Sequence, residues 1–84
     1  MIKGRVAGKV WSSRRIETVP TGALLEVDIG RDSRLVAFDP LGCATGELVL
    51  IAQGSVAAGY FDGRTVPVDA LIIASIDEQS SKDA

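Results

Sequence analysis

Period-two alternation is clearest in one segment, which reads Ile2-Lys3-Gly4-Arg5-Val6-Ala7-Gly8-Lys9-Val10-Trp11-Ser12. Its even positions carry apolar residues and glycines as far as Val10, whereas Lys3, Arg5 and Lys9 stand at odd positions. Because successive side chains of a β-strand point to opposite faces, this pattern predicts a strand with one wet face. Glycine within a strand allows bending or close backbone approach, as at the corner of a barrel. The segment therefore predicts a strand of a small β-barrel.

Four more strands are expected downstream, at residues 23–29, 35–38, 48–52 and 70–76. The tetrapeptide Gly30-Arg31-Asp32-Ser33 has the composition of a hairpin turn, and Asp39-Pro40 ends a strand because proline cannot donate to the ladder. The continuous apolar run at 48–52 predicts a strand that is buried on both faces. One helical turn is expected after Gly54, with Ser55 as its N-cap and Gly59 as its stop.

These elements predict an all-β fold, a small five-stranded OB-like barrel with one short helical turn. A length of 84 residues suits one domain, expected over residues 1–78, with a polar tail at 79–84. Hydrophobic residues make up 46% of the chain, which exceeds what one small core needs and favours an oligomer. The longest apolar runs fall far short of the ~20 residues of a membrane-spanning helix. A single cysteine without a disulfide partner makes a cytoplasmic location the default expectation.

Catalytic residue sets are hard to assemble from this sequence. It contains no histidine and one cysteine, Cys43, so it supports neither a base-activated nucleophile nor a zinc site. The glycine-bearing stretch at 42–46 is followed by Glu47 instead of the lysine of a phosphate-binding loop. Asp39, Glu47, Asp69 and Asp77 border strands, where two of them could approach as an acid/base pair or accept hydrogen bonds from turns. We predict no enzymatic activity, no cofactor and no metal.

Binding to nucleic acid is the alternative that an OB-like barrel raises. The net charge of −2 and the 5% aromatic content argue against a basic groove lined with stacking rings. Lys3, Arg5 and Lys9 nevertheless share one strand face with Trp11. These residues are either solvated or in contact with a neighbouring subunit, or they belong to an OB-fold nucleic-acid-binding module. We expect no membrane partner.

Short motifs follow one another in a fixed order along most of the chain. They read Gly8-Lys9-Val10-Trp11-Ser12, Leu24-Leu25, Val36-Ala37-Phe38-Asp39, Gly42-Cys43-Ala44-Thr45-Gly46-Glu47, Val49-Leu50, Gly54-Ser55, Pro67-Val68-Asp69 and Ile76-Asp77. Their order and spacing resemble the EutN/CcmL family, the pentameric vertex proteins of carboxysomes and other bacterial microcompartments, including metabolosomes. The resemblance implies a homopentamer with a narrow opening on its fivefold axis. It also implies hexameric shell proteins as partners and a place in the shell of a microcompartment in the cytoplasm.

The resemblance also indicates which residues take part in assembly. Five chains that converge on an axis need a backbone with small side chains, which the stretch at 42–47 offers. The candidates for the axial opening are Gly42, Cys43, Ala44, Thr45, Gly46 and Glu47, supported by Gly54 and Ser55. An ordinary tight turn away from the axis is the alternative. Ala44 stands where the family has a glycine, so we expect an ordinary φ there.

Contacts with other subunits or with hexamer edges form a second group of candidates. For each arginine in it, solvated surface is the alternative. The group consists of Trp11, Arg14, Arg15, Arg31 and Arg64.

Overall fold

Five strands and one short helix make up the part of the chain that the computed structural model describes, residues 1–61 and 66–77. In chain order they are β1 (Ile2–Lys9), β2 (Ala23–Gly30), β3 (Ser33–Asp39), β4 (Leu48–Gln53), α1 (Ser55–Gly59) and β5 (Ala70–Ser75). The predicted all-β, five-stranded OB-like barrel with one short helical turn is confirmed. β1 ends at Lys9, earlier than the predicted Ser12, and the other strands agree with the prediction within two residues. Arg64 and the predicted tail at 79–84 lie outside the described residues.

The strands close into a barrel in the order β1-β2-β3-β5-β4. All neighbours are antiparallel except β3 and β5, which run parallel and pair only at Phe38 and Leu71. The register of β1 shifts between Val6 and Gly8, where the strand bends. A Cβ atom at Gly4 would overlap the Val27 side chain of β2, so the glycine permits the close approach of the two strands.

The inside of the barrel is filled by side chains from every strand. Leu25 and Val27 of β2 point inward, as the alternation predicts. On β4, Val49, Ile51 and Ala52 are buried and Leu48 and Leu50 are half-buried, so the predicted burial on both faces is partly met in a single chain. The barrel wall covers only one face of an antiparallel strand. The buried set is Val6, Leu25, Val27, Ala37, Cys43, Val49, Ile51, Ala70 and Ile72.

A second apolar cluster lies outside the barrel wall, over the seam where β3 meets β5. Phe38 and Leu71, the one residue pair of that seam, each neighbour a core residue and so point to the outer face. The rings of Phe38 and Phe61 meet edge to face, with centroids 5.1 Å apart. This cluster covers a seam that has little backbone pairing of its own. Its members are Phe38, Ala57, Phe61, Val66, Val68 and Leu71.

Helix α1 contributes the fully buried Ala57 to this outer cluster. Its N-cap is Gly54, at φ 70°, and no side chain caps the helix, so the prediction of Ser55 as N-cap is wrong. Gly59 is the last helical residue, and Tyr60 follows as the C-cap. Gly54 takes the cap position because its backbone has a positive φ, which glycine tolerates better than serine. Among the described residues, no helix has the length and apolar character needed to cross a membrane.

Candidate assembly site

The glycine loop, residues 40–47, connects β3 to β4, and its first half is organised by one carboxylate. Asp39 is 5% exposed and accepts three hydrogen bonds from backbone N–H groups of the loop. Oδ1 accepts from Leu41 at 2.9 Å and from Gly42 at 3.3 Å, and Oδ2 accepts from Cys43 at 2.7 Å. A buried carboxylate is stabilised when donors satisfy it in this way, and the loop is held in one conformation in return.

The second half of the loop is fixed by Glu47. Its Oε1 accepts from the N–H of Ala44 at 3.1 Å, and its Oε2 accepts from the hydroxyl of Ser75 at 2.8 Å. The hydrogen bond from Ala44 and then the one from Ser75 lower the pKa of Glu47 below its ordinary value. Glu47 is therefore ionised at neutral pH and joins the loop to the end of β5.

The loop backbone is also paired with β1. The N–H of Gly46 donates to the carbonyl of Val6 at 2.8 Å, and the N–H of Val6 donates to the carbonyl of Glu47 at 2.9 Å. The guanidinium of Arg5 donates to the carbonyl of Gly46 at 2.8 Å. Gly46 has φ 94° and Gly42 has φ 83°, backbone conformations that favour glycine. Ala44 has no positive φ, as predicted.

Cys43 differs from its neighbours because its side chain belongs to the barrel core. Burial, together with the charges of Asp39 and Glu47, raises the pKa of the Cys43 thiol to about 11. The thiol is therefore protonated at neutral pH and unsuited to nucleophilic chemistry. Gly42, Ala44, Thr45 and Gly46 are exposed, so small residues form the outer surface of the loop.

Gly54 and Ser55 lie far from the glycine loop. The loop precedes β4 and these two residues follow it, so they occupy opposite ends of a six-residue strand. Such a strand is about 20 Å long. Gly54 donates its N–H to the carbonyl of Asp69 at 2.8 Å, and Ser55 is exposed. The axial candidates therefore form two separate groups in a single chain.

The residues proposed for contacts lie in different surroundings. Trp11 is 84% exposed, with the Lys9 ammonium 5.4 Å from its ring centroid. Arg15 donates to the Ser12 hydroxyl at 2.9 Å and to the carbonyls of residues 20 and 22, so it closes the β1–β2 loop. Arg14 is exposed, and Arg31 is exposed at the tip of the β2–β3 hairpin.

Two of the four acids considered from the sequence for an acid/base pair take part in the hydrogen bonding of the glycine loop. Asp39 and Glu47 are both engaged in hydrogen bonds that hold the glycine loop. In residues 1–61 and 66–77, no group of three or more His, Cys, Asp or Glu side chains is placed to bind a metal ion. Of the four aromatic residues, Phe38 and Phe61 are buried against each other, which leaves Trp11 and Tyr60 as exposed rings.

Sequence reasoning missed two features of this site. The hydrogen bond between Arg5 and Gly46 joins residues 41 positions apart, so no local sequence pattern predicts it. An apolar groove is lined by Leu41, Tyr60 and Ile73, which come from three separate segments. Asp39 did carry a signal, because an aspartate directly before proline and a glycine-bearing loop commonly accepts hydrogen bonds from the turn.

A small closed barrel with several large apolar side chains on its surface has the features of a protein that binds other molecules through that surface. Comparison with known proteins identifies its family. The family model for EutN/CcmL, described as ethanolamine utilisation protein EutN/carboxysome, matches residues 1–77. The chain belongs to the EutN/CcmL family.

Individual relatives resemble the chain over nearly its whole length. The carboxysome shell vertex protein CcmL of Thermosynechococcus vestitus is 33% identical over 82 residues, which cover 90% of this chain and 83% of the relative. A solved pentameric shell protein from the RMM microcompartment is 57% identical, with a TM-score of 0.88 and coverage of 94% and 93%. EutN from Escherichia coli has a TM-score of 0.81 at 30% identity, covering 92% of this chain and 86% of that one. The alternative of a nucleic-acid-binding module finds no support among these relatives.

Proposed function

We propose that this chain is a structural protein without catalytic activity, and that five copies form a ring at a vertex of a bacterial microcompartment shell. The observation that carries the proposal is the similarity to the pentameric RMM shell protein, at 57% identity over 94% of this chain. The curated relatives, CcmL and EutN, are themselves shell vertex proteins.

The ring works through its symmetry. A contact between two different surfaces of one chain, repeated with a rotation of about 72°, closes on itself after five copies. A flat layer of hexamers cannot form a closed shell, and fivefold units inserted into it supply the missing curvature. In this proposal hexameric shell proteins meet the outer rim of the ring. Arg14 and Arg31 are exposed and suit a polar rim of that kind.

The glycine loop is the part of the chain that we place at the fivefold axis. Its exposed residues, Gly42, Ala44, Thr45 and Gly46, allow five backbones to come close together without crowding. Asp39 and Glu47 hold the loop from both ends, so little conformational entropy is lost when copies converge. Gly54 and Ser55 lie at the far end of β4 and would border the opening at a different height.

The native mass tests the proposal directly. Five chains of 8.8 kDa give a particle of about 44 kDa by light scattering at micromolar concentration. Mixing this particle with a hexameric shell protein is expected to give closed assemblies, whereas the hexamer alone gives sheets or tubes. A monomer of 8.8 kDa at that concentration would contradict the proposal. Titration with single-stranded DNA at two salt concentrations serves as the control for the nucleic-acid alternative, and we expect little affinity at either.

A further inference from the structure

An apolar groove remains open beside the seam between β3 and β5. It has a volume of about 290 Å³ and is lined by Pro40, Leu41, Tyr60, Leu71, Ile72 and Ile73. Leu41, Tyr60 and Ile73 remain exposed large hydrophobic residues in the single chain. An exposed concave apolar surface of this kind marks an interaction site on a small protein.

Two further exposed apolar residues lie on the loop between β1 and β2, the end of which borders Pro40 and Tyr60 of the groove. They are Trp11, 84% exposed, and Ile16, 65% exposed, and are called the knob below. The three hydrogen bonds of Arg15 hold this loop in shape, and Lys9 stacks on the Trp11 ring. A knob that is ordered in advance loses little entropy when it binds.

We propose that the knob of one subunit packs into the groove of the next subunit around the ring. This inference rests on the proposed pentamer and names the two surfaces that meet. A ring closed by head-to-tail contacts needs two different, complementary patches on each chain. The knob lies on the β1–β2 connection and the groove lies beside the β3–β5 seam, one strand away, and the residues of both are exposed on a single chain. Tryptophan is enriched among the residues that dominate interface energies, and a pocket on the partner commonly receives it.

Other segments of the same chain are poorer occupants of the groove. The sequences at 62–65 and 78–84, Asp-Gly-Arg-Thr and Glu-Gln-Ser-Ser-Lys-Asp-Ala, contain no large apolar side chain. In the described part of the chain, the exposed large hydrophobic residues outside the knob and groove are Met1, Val36 and Val56, which come from separate elements. Only the knob brings two such residues together on one loop.

Intrinsic fluorescence tests the contact, because Trp11 is the only tryptophan in the chain. In the purified pentamer we expect blue-shifted emission and quenching by acrylamide several-fold weaker than for the urea-unfolded chain. A pentameric mass with Trp11 quenched as freely as in the unfolded chain would overturn the contact and leave the proposed function intact. A monomeric mass would overturn the proposed function, and the contact with it.

Paired variants test whether the groove is the partner of the knob. Ile73→Asp and Val36→Asp place the same charge on β-branched residues of neighbouring strands, 41% and 45% exposed, and only Ile73 lines the groove. Ile73→Asp is expected to raise the concentration at which the ring dissociates by at least about tenfold, and Val36→Asp by less than about threefold.

Trp11→Asp gives a second route that does not endanger the barrel, since Trp11 is outside the core. It is expected to weaken the ring to a similar degree as Ile73→Asp, with an unchanged urea unfolding midpoint at concentrations where both proteins are monomeric. Trp11→Asp rings as stable as those of the unaltered chain would overturn the proposal. The proposal would also be overturned if Ile73→Asp rings had normal stability and still protected Trp11 from quenching.

Discussion

At the scale of single residues, Asp39 contributes more to the site than its position in the sequence suggests. Its carboxylate is buried at the end of β3 and accepts hydrogen bonds from three N–H groups at the start of the glycine loop, of which the bond from Cys43 is itself buried. A donor that loses its partner in a buried place carries its full desolvation cost, which exceeds the net gain from an ordinary hydrogen bond. The shape of the loop therefore depends on this one side chain.

Replacement of Asp39 should lower the stability of the barrel, and by different amounts for alanine and asparagine. Asp39→Ala removes all three acceptor contacts and is expected to lower the free energy of unfolding by about 3 kcal/mol. Asp39→Asn keeps the oxygen that faces Leu41 and Gly42 but turns an amide toward the N–H of Cys43, so an intermediate loss is expected. Urea unfolding measures both, at equal protein concentration.

Asp69→Ala is the matched control, because Asp69 is an exposed acid that also borders a strand. Its effect should stay within about 0.5 kcal/mol, as for most surface substitutions. If Asp39→Ala proved as mild as this control, the carboxylate would not be what holds the glycine loop.

Single-residue contacts were the hardest part of the site to predict. The sequence marked Asp39 and Glu47 as acids at strand borders, where they accept hydrogen bonds from turns, but the same positions also fitted an acid/base pair. Arg5 was placed correctly on the wet face of β1, yet its contact with Gly46 depends on how β1 and the glycine loop meet in space. Ordinary φ at Ala44 followed from alanine's steric preference alone, and it is confirmed.

At the scale of elements, the β2–β3 hairpin stores backbone strain in its turn. Arg31 and Asp32 form the two-residue loop and both have positive φ, 53° and 58°. Such a turn prefers Asn-Gly, Asp-Gly or Gly-Gly, so an arginine at the first position and any Cβ atom at the second raise its conformational energy. Asp28 supports the turn by accepting a hydrogen bond from Gly30 at 2.9 Å. The turn therefore keeps residues that are costly for its geometry.

Relief of that strain should stabilise the chain. The double variant Arg31→Asn with Asp32→Gly is expected to raise the free energy of unfolding by about 1–2 kcal/mol. The control Arg31→Ala with Asp32→Ala removes the same charges but keeps a Cβ atom at both positions, so it should give no such gain. Thermal unfolding of the two double variants at one concentration compares them. Equal stability would mean that the positive φ values carry no cost here.

Strands were predictable from the sequence where one of their faces is exposed to solvent. Alternation placed β1 and β2 with their buried faces correct, and the turn at 30–33 fell between β2 and β3 as expected. One element-level prediction was wrong, Ser55 as N-cap, and burial of 48–52 on both faces is partial in one chain. The cap depends on the positive φ of Gly54, whereas burial of the outer face depends on the cluster around Phe38 and Phe61, which assembles from segments far apart in sequence.

At the scale of the whole molecule, the amino-acid composition is what predicted an oligomer. Hydrophobic residues make up 46% of the chain, and the described part leaves Trp11, Ile16, Leu41 and Tyr60 among its exposed apolar residues. The outer cluster and the barrel core together leave this surplus uncovered in one chain. The surplus indicated an oligomer. The number of copies did not follow from it, because that number depends on the angle between the two interacting surfaces.

A charge in the glycine loop tests its placement at the axis. Gly46 is a poor position for this test, because its φ of 94° would strain any side chain and confuse assembly with folding. Thr45 is exposed and has no positive φ, so Thr45→Arg leaves the barrel intact. At an axis, five guanidinium groups would lie within a few ångströms of one another and repel strongly in that confined space.

The ring should therefore fail in Thr45→Arg while the monomer keeps its fold. Ser33→Arg, which adds the same charge at the exposed end of the β2–β3 hairpin, is expected to keep a particle of about 44 kDa. Light scattering gives the two masses, and circular dichroism checks that both barrels are folded. Salt offers a further readout, because screening of clustered charges should partly restore the Thr45→Arg ring. A Thr45→Arg ring as stable as that of Ser33→Arg would place the glycine loop away from the axis, as an ordinary tight turn between β3 and β4.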